Sequence, residues 1–136
     1  MRTHTLPALA AIATAALIGT AIAAEIPGAE LKELHSGKTL YMEASATATA
    51  GAGQSAIFYG ADGNAIYKTG KGEIWQGPWT IKDNTVCIEW KQGPPNNPCS
   101  RYDKQGDVIT IINVKTGQPR ATIKKTAAGN AENLKP

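Results

Sequence analysis

The chain has 136 residues, with 14 Lys or Arg against 11 Asp or Glu and a formal net charge of +3. A chain of this length makes one domain with a modest core. Its basic residues are spread singly, with Lys124-Lys125 as the only adjacent pair, whereas nucleic-acid binders carry a basic stripe or cluster. We therefore expect a single domain that does not bind nucleic acid.

Residues 1–23 have the three regions of a secretory signal peptide. Arg2 gives a positive start, a run rich in Ala, Leu and Ile follows, and Ala21-Ile22-Ala23 forms a small-residue cleavage site. The apolar run is too short and too rich in Ala and Thr for a membrane span of about 20 strongly apolar residues. We predict a periplasmic or secreted protein, cleaved after Ala23, with 113 residues, a net charge of +2 and no transmembrane segment.

The first mature segment predicts a short helix that leads into a strand. The helix spans Pro27 to His35, places Leu31 and Leu34 toward the core, and ends at Ser36-Gly37. His35 is the only histidine after residue 23. We expect a surface histidine favoured by the helix dipole rather than a catalytic base.

Strands follow the helix. Thr39 to Glu43 is the first, and residues 44–54 form an Ala, Thr and Gly segment that predicts a loop or a weak edge strand. A hairpin over residues 55–69 has Asp62-Gly63 at its tip, a dipeptide that suits a two-residue type I′ turn. That register pairs Phe58 with Tyr67 and Tyr59 with Ile66.

Residues 75–99 hold all three tryptophans and both cysteines. With Asp83-Asn84 as the tip of a second hairpin, Lys82 pairs with Thr85, and alternation along each strand gives two faces. One face carries Trp75, Gly77, Trp79, Ile81, Val86, Ile88 and Trp90, and the other carries Thr80, Cys87 and Glu89. We expect Trp75, Trp79 and Trp90 to form an aromatic cluster that fills the core. The alternative is a lipocalin-like cup in which one or two of them line an open binding pocket.

Further strands are predicted over residues 100–103, 107–114 and 120–126. The chain then divides into a signal peptide (1–23), a single β domain (24–126) and a C-terminal tail (127–136). Seven or eight short strands separated by turns indicate a mainly β fold with one short N-terminal helix. Its architecture is an antiparallel up-and-down meander or a small barrel.

Two cysteines in an exported chain are most simply one disulfide, Cys87 to Cys99. A CxxC redox pair needs a different spacing, a zinc site needs two more soft ligands, and a nucleophilic cysteine needs a nearby histidine base. We therefore predict a structural bond.

The sequence contains no GxSxG elbow, HExxH motif, Walker loop or EF-hand spacing. We predict no catalytic residue, no cofactor and no metal ion. A pair of carboxylates for glycoside hydrolysis stays open, because acidic residues can converge in space even though most of these suit turns. The candidates are Asp62, Glu73, Asp83, Glu89, Asp103 and Asp107.

Several motifs resemble those of small exported proteobacterial proteins described as domains of unknown function. These motifs are GKTLY after a short helix, an Asp-Gly turn, GPWTIKDNTVCIEW, a second Cys about a dozen residues on, and a terminal GNAENL. The resemblance covers most of the mature chain, and it implies a periplasmic β-rich protein with one disulfide. Gly77-Pro78-Trp79 is similar to the Gly-x-Trp of lipocalin-like barrels, where the motif lies on the first strand. The architecture also resembles small periplasmic inhibitors of metalloproteases.

These observations predict a binding or interaction protein of the periplasm that is not an enzyme. Its partner would be a periplasmic protein or a small ligand, held at a loop end or at the barrel mouth. The alternatives are an inhibitor of a periplasmic enzyme, or a hydrolase whose carboxylates the sequence does not reveal.

Overall fold

The computed structural model describes residues 19, 22–48, 50–92 and 99–136. Nearly all of the predicted signal peptide and the loop residues 93–98 lie outside the described residues. Among the described residues, no helix has the length and apolar character needed to cross a membrane.

Within these residues the chain forms one helix and nine strands. In chain order they are β1 (Ala24–Glu25), α1 (Gly28–His35), β2 (Lys38–Ala44), β3 (Gly53–Tyr59), β4 (Asn64–Lys68), β5 (Ile74–Lys82), β6 (Thr85–Ile88), β7 (Cys99–Gln105), β8 (Val108–Asn113) and β9 (Pro119–Ala128).

Strands β2 to β9 form a closed antiparallel barrel of eight strands. Each strand pairs with the next, and β9 pairs with β2. The short β1 adds to the half of β7 that β6 does not reach. The predicted mainly β, up-and-down architecture is confirmed, and it closes into the small barrel. β3 begins at Gly53, inside the segment expected as a loop or a weak edge strand. β9 runs on to Ala128, beyond which Leu134 of the tail is buried.

The tryptophan hairpin has the predicted register, with Lys82 opposite Thr85 and Trp79 opposite Ile88. Its tip residue Asp83 has a left-handed φ of 53°, which Asp tolerates better than most residues. The side-chain Oδ1 of Asn84 accepts a hydrogen bond from the Gly28 amide at 3.0 Å. This bond ties the hairpin tip to the start of α1.

The predicted disulfide is also confirmed. Cys87 on β6 and Cys99 on β7 are register partners, and their Cα atoms lie 4.0 Å apart. The bond fixes the start of β7 against the end of β6.

The predicted register of the β3–β4 hairpin is wrong by one residue. Phe58 pairs with Ile66, and Tyr59 pairs with Ala65. The loop has three residues instead of two, because the Gly60 amide donates to the Asn64 carbonyl at 2.8 Å. Gly63 then takes a φ of +88°, as in a type I turn followed by a glycine bulge. In this register Tyr59 and Tyr67 share the inner face of the barrel, whereas the predicted one would have put them on opposite faces.

The prediction that His35 lies on the surface is wrong. His35 and Leu31 are both fully buried, one turn apart on the face of α1 that covers one end of the barrel. The Gly37 amide donates to the Tyr59 carbonyl at 2.8 Å, and this bond draws the end of the helix onto the barrel. The helix dipole describes only the local helix end, whereas the burial of His35 comes from the strands on which α1 packs.

Candidate ligand site at the loop end of the barrel

The barrel has two different ends. At one end, here called the helix end, α1 lies against β2, β5 and β6. The opposite end has the longer connections and is here called the loop end. The connections are 60–63, 83–84 and 106–107 at the helix end, and 45–52, 69–73, 89–98 and 114–118 at the loop end.

Trp79 belongs to the packed helix end. Its side chain is 9% exposed, and its ring makes a T-shaped contact with Tyr59 at a centroid distance of 5.4 Å. Its indole N–H donates to the Gly60 carbonyl at 2.8 Å. This tryptophan is hydrogen-bonded and packed, so it offers no free face to a ligand.

Trp75 and Trp90 lie at the loop end with Tyr67, and these three side chains form the loop-end aromatic cluster. The centroids of the two indoles are 6.0 Å apart, and the Tyr67 ring lies 5.7 Å from each. Tyr67 is buried, while both indoles are partly exposed and pack against the core. The structure thus places Trp79 at one end of the barrel, and Trp75 and Trp90 at the other.

A glycine allows Trp90 to reach this position. The Glu89 amide donates to the Pro78 carbonyl at 3.0 Å, so the two strands stay paired past the end of β6. A Cβ on Gly77 would lie 2.0 Å from the Glu89 carbonyl oxygen and 3.1 Å from the Trp90 Cα. Only glycine permits so close an approach of the two backbones.

Arg120 enters the barrel through a β-bulge. Between β8 and β9, Ile111 pairs with Ala121 but Ile112 pairs with Pro119, so Arg120 is an extra residue beside Ala121. Such bulges re-aim a side chain. The Nε atom of Arg120 is buried as a result.

The Arg120 guanidinium acts on three phenols of the barrel interior, those of Tyr59, Tyr67 and Tyr102. Burial raises the pKa of each phenol, and the Arg120 charge opposes this rise. Burial also lowers the pKa of Arg120, and the three phenols partly oppose this effect by raising it. An arginine in a protein keeps its proton, and the phenols stay protonated at neutral pH. The interior here therefore carries a positive charge with three neutral phenols close enough to affect it.

Ser55 adds a buried hydroxyl to the same region. Its side chain is 7% exposed and follows the inward parity of Ile57 on β3. As a hydrogen-bonding neighbour of the Tyr67 phenol, the hydroxyl opposes the rise that burial causes in the pKa of Tyr67. It nevertheless has the geometry of a hydrogen bond to none of the described residues. A buried hydroxyl in this state is ready to bond to a ligand or a water molecule.

At the helix end, His35 lies between two tyrosine rings. Its ring centroid is 4.5 Å from that of Tyr59 and 4.8 Å from that of Tyr102. Its Nδ1 lies 2.7 Å from the Leu31 carbonyl and its Nε2 is buried with no partner among the described residues. Burial is the main cause that lowers the pKa of His35 to about 4. The ring is therefore neutral at pH 7 and closed off from solvent.

The two tyrosines beside His35 also interact with each other. Their hydroxyl oxygens are 3.5 Å apart, and burial raises the pKa of Tyr102 to about 12. The helix end is therefore an aromatic core with its polar atoms sealed inside.

The six carboxylates considered for a hydrolase are dispersed over both ends of the barrel. Five are exposed, and Asp62 accepts the Asn64 amide of its own turn at 3.0 Å. The sixth, Asp103, is paired with Arg101 at 3.2 Å. In the described part of the chain, no group of three or more His, Cys, Asp or Glu side chains is arranged to hold a metal ion.

No family model, curated protein or solved structure matches the chain. The resemblances drawn from its motifs therefore stay predictions.

Sequence reasoning identified two of the three residues of the loop-end aromatic cluster but missed Tyr67, Ser55 and Arg120. A three-residue β3–β4 turn would have given the inward face of Tyr67. Simple alternation from the core residue Ala121 would have pointed Arg120 outward.

Proposed function

We propose that the mature chain is an exported, non-enzymatic binding protein that holds a small ligand at the loop end of its barrel. The observation that carries this proposal is the contrast between its tryptophans. Trp79 is hydrogen-bonded and packed, while Trp75 and Trp90 are partly exposed. The half of the barrel that holds these two indoles also contains the buried Nε of Arg120 and the buried hydroxyl of Ser55.

The composition of the loop end supports a binding role. Ligand sites in proteins are mostly apolar and contain a few placed polar groups. The loop-end aromatic cluster supplies the apolar surface, and Arg120 and Ser55 supply the polar groups. A barrel of eight strands has an interior that side chains fill or that holds one small ligand. Here side chains fill the helix end, which leaves the loop end for a ligand.

Export is supported by the sequence of residues 1–23 and is compatible with the disulfide. Mass spectrometry of periplasmic and secreted fractions should find a chain that begins at Ala24 or Glu25. Detection of the intact Met1 form in the cytoplasm alone would contradict export.

Binding can be tested with N-phenyl-1-naphthylamine, a neutral aromatic probe whose emission rises in apolar sites. We expect saturable binding to the mature chain, weakened about tenfold by Trp75→Ala and by Trp90→Ala, because each change removes an aromatic contact. Trp79→Phe, at the other end, is the control and should leave the affinity unchanged. Absence of saturable binding, or equal affinity in all three variants, would contradict the proposal.

Protein contact at the same rim is the second candidate and includes the inhibitor hypothesis. Ile74 is 37% exposed and Val114 is 47% exposed, and both belong to the loop end. Apolar side chains around a mouth favour contact with a protein surface. Affinity capture with the mature chain, compared with an Ile74→Ser/Val114→Ser variant, would test this candidate by loss of a captured partner.

A further inference from the structure

We propose that the loop-end site selects an aromatic anion, a small planar ring system that carries one carboxylate or sulfonate group. The Arg120 guanidinium binds the anionic group, and the loop-end aromatic cluster packs against the rings. This inference rests on the proposed function and goes beyond it by assigning the charge and the size of the ligand.

The charge of the ligand follows from Arg120. The side chain is directed inward by the β9 bulge, and burial lowers its pKa without removing its proton. Three phenols, which are neutral acceptors, are among the groups that act on it. A cation in such surroundings attracts an anion more strongly than it would in water, and an arginine can bind both oxygens of a carboxylate at once.

Ser55 gives a second, independent indication of a ligand. Its hydroxyl is buried on the inner face of β3, where it interacts with the Tyr67 phenol but has a hydrogen bond of good geometry to none of the described residues. A hydroxyl that is nine-tenths buried without a hydrogen bond reduces the stability of the folded chain unless a ligand or a water molecule supplies a partner. An anionic oxygen held by Arg120 would be such a partner, because it would accept a hydrogen bond from the Ser55 hydroxyl.

The size of the ligand follows from the filled helix end. His35, Tyr59, Trp79 and Tyr102 occupy that half of the interior, and each is nine-tenths or more buried. A long acyl chain or a haem would have to displace this packed core. A ligand of one or two fused rings, packed against the partly exposed indoles of Trp75 and Trp90, needs only the loop end.

A pair of dyes that differ in charge tests this inference. The dyes 8-anilinonaphthalene-1-sulfonate and N-phenyl-1-naphthylamine share one ring skeleton, and only the first carries an anionic group. We expect the mature chain to bind the sulfonate about tenfold or more tightly than the neutral dye, because a hydrogen bond to a charged group contributes that much. Unlabelled 2-naphthoate should displace the sulfonate dye, and 2-naphthamide should displace it far less.

Variants then locate the preference within the barrel. Arg120→Gln should abolish the preference for the sulfonate over the neutral dye, and circular dichroism with thermal unfolding shows whether the variant is folded. Lys124→Gln is the matched control, because it removes one positive charge from an exposed position of the same strand. It should keep the preference.

The outcomes distinguish this inference from the proposed function. Equal affinity for the two dyes, or tighter binding of the neutral one, overturns the anion assignment while the binding site stands. Binding of neither dye overturns both. If Arg120→Gln fails to fold, the wild-type comparison of naphthoate with naphthamide decides, and equal displacement by the two compounds overturns the inference.

Discussion

Acid should destabilise this barrel through a single histidine. Burial lowers the pKa of His35 from 6.5 to about 4 in the folded chain, with a smaller contribution from the charge of Lys38. Between pH 6.5 and about 4, His35 is protonated in the unfolded chain but neutral in the folded chain, so the free energy of unfolding falls as the pH falls. The stability that the neutral His35 ring contributes is fully present above about pH 6.5 and is lost below about pH 4. From 6.5 to about 4, at about 1.4 kcal/mol per pH unit, the loss is about 3 kcal/mol.

Urea unfolding of the mature chain between about pH 7.5 and pH 4 measures this loss. Carboxylates also titrate in this range, so the measurement needs a reference that lacks only the imidazole. His35→Phe keeps a ring at the position, and the difference in slope between the two proteins isolates the histidine. Equal slopes, or an imidazole that titrates near its ordinary pKa in an NMR experiment on the folded protein, would refute the reasoning.

Three further changes act on stability at neutral pH. Cys87→Ser or Cys99→Ser should cost about 3 kcal/mol and lower Tm by about 10 °C or more, and free-thiol titration should find no thiol in the wild type. Gly77→Ala should cost about 2 kcal/mol or more by thermal unfolding, because the new Cβ meets the Glu89 carbonyl oxygen at 2.0 Å. Ser55→Ala should instead stabilise the chain by about 1 kcal/mol, because it removes a buried hydroxyl that lacks a hydrogen bond; a lower Tm would contradict this.

The parts of the fold that the sequence predicted correctly are those set by local pattern. The β5–β6 hairpin alternates strictly on both sides of Asp83-Asn84, so one register puts every apolar residue on one face. The β3–β4 hairpin was ambiguous, because Asp62-Gly63 suits a two-residue turn and also the last two positions of a three-residue loop. Pairing of Gly60 with Asn64 decided between them, and no local signal gives that pairing.

The features that the sequence did not predict depend on contacts between segments distant in the chain. A helix of two turns can present either Leu34 or His35 to the core, and which one is buried depends on where the barrel lies. Arg120 is four residues before the adjacent pair Lys124-Lys125 of a solvent-facing segment, and nothing in that stretch marks a bulge. Its inward direction exists only because β9 must pair with both β2 and β8 as the barrel closes.

Three costly features of this molecule lie in the half of the barrel where the proposed ligand binds. A β-bulge forfeits a regular pair, a partly buried guanidinium loses hydration, and a buried hydroxyl lacks a hydrogen bond of good geometry. All three lie in the half of the barrel that also holds Tyr67 and the two partly exposed indoles. At the helix end the indole of Trp79 and the hydroxyls of the two tyrosines have partners, and the Nε2 of His35 is a buried atom without one among the described residues. Features that reduce stability persist where function needs them, so a more stable Ser55→Ala chain that binds aromatic anions less tightly would tie the cost at the loop end to recognition.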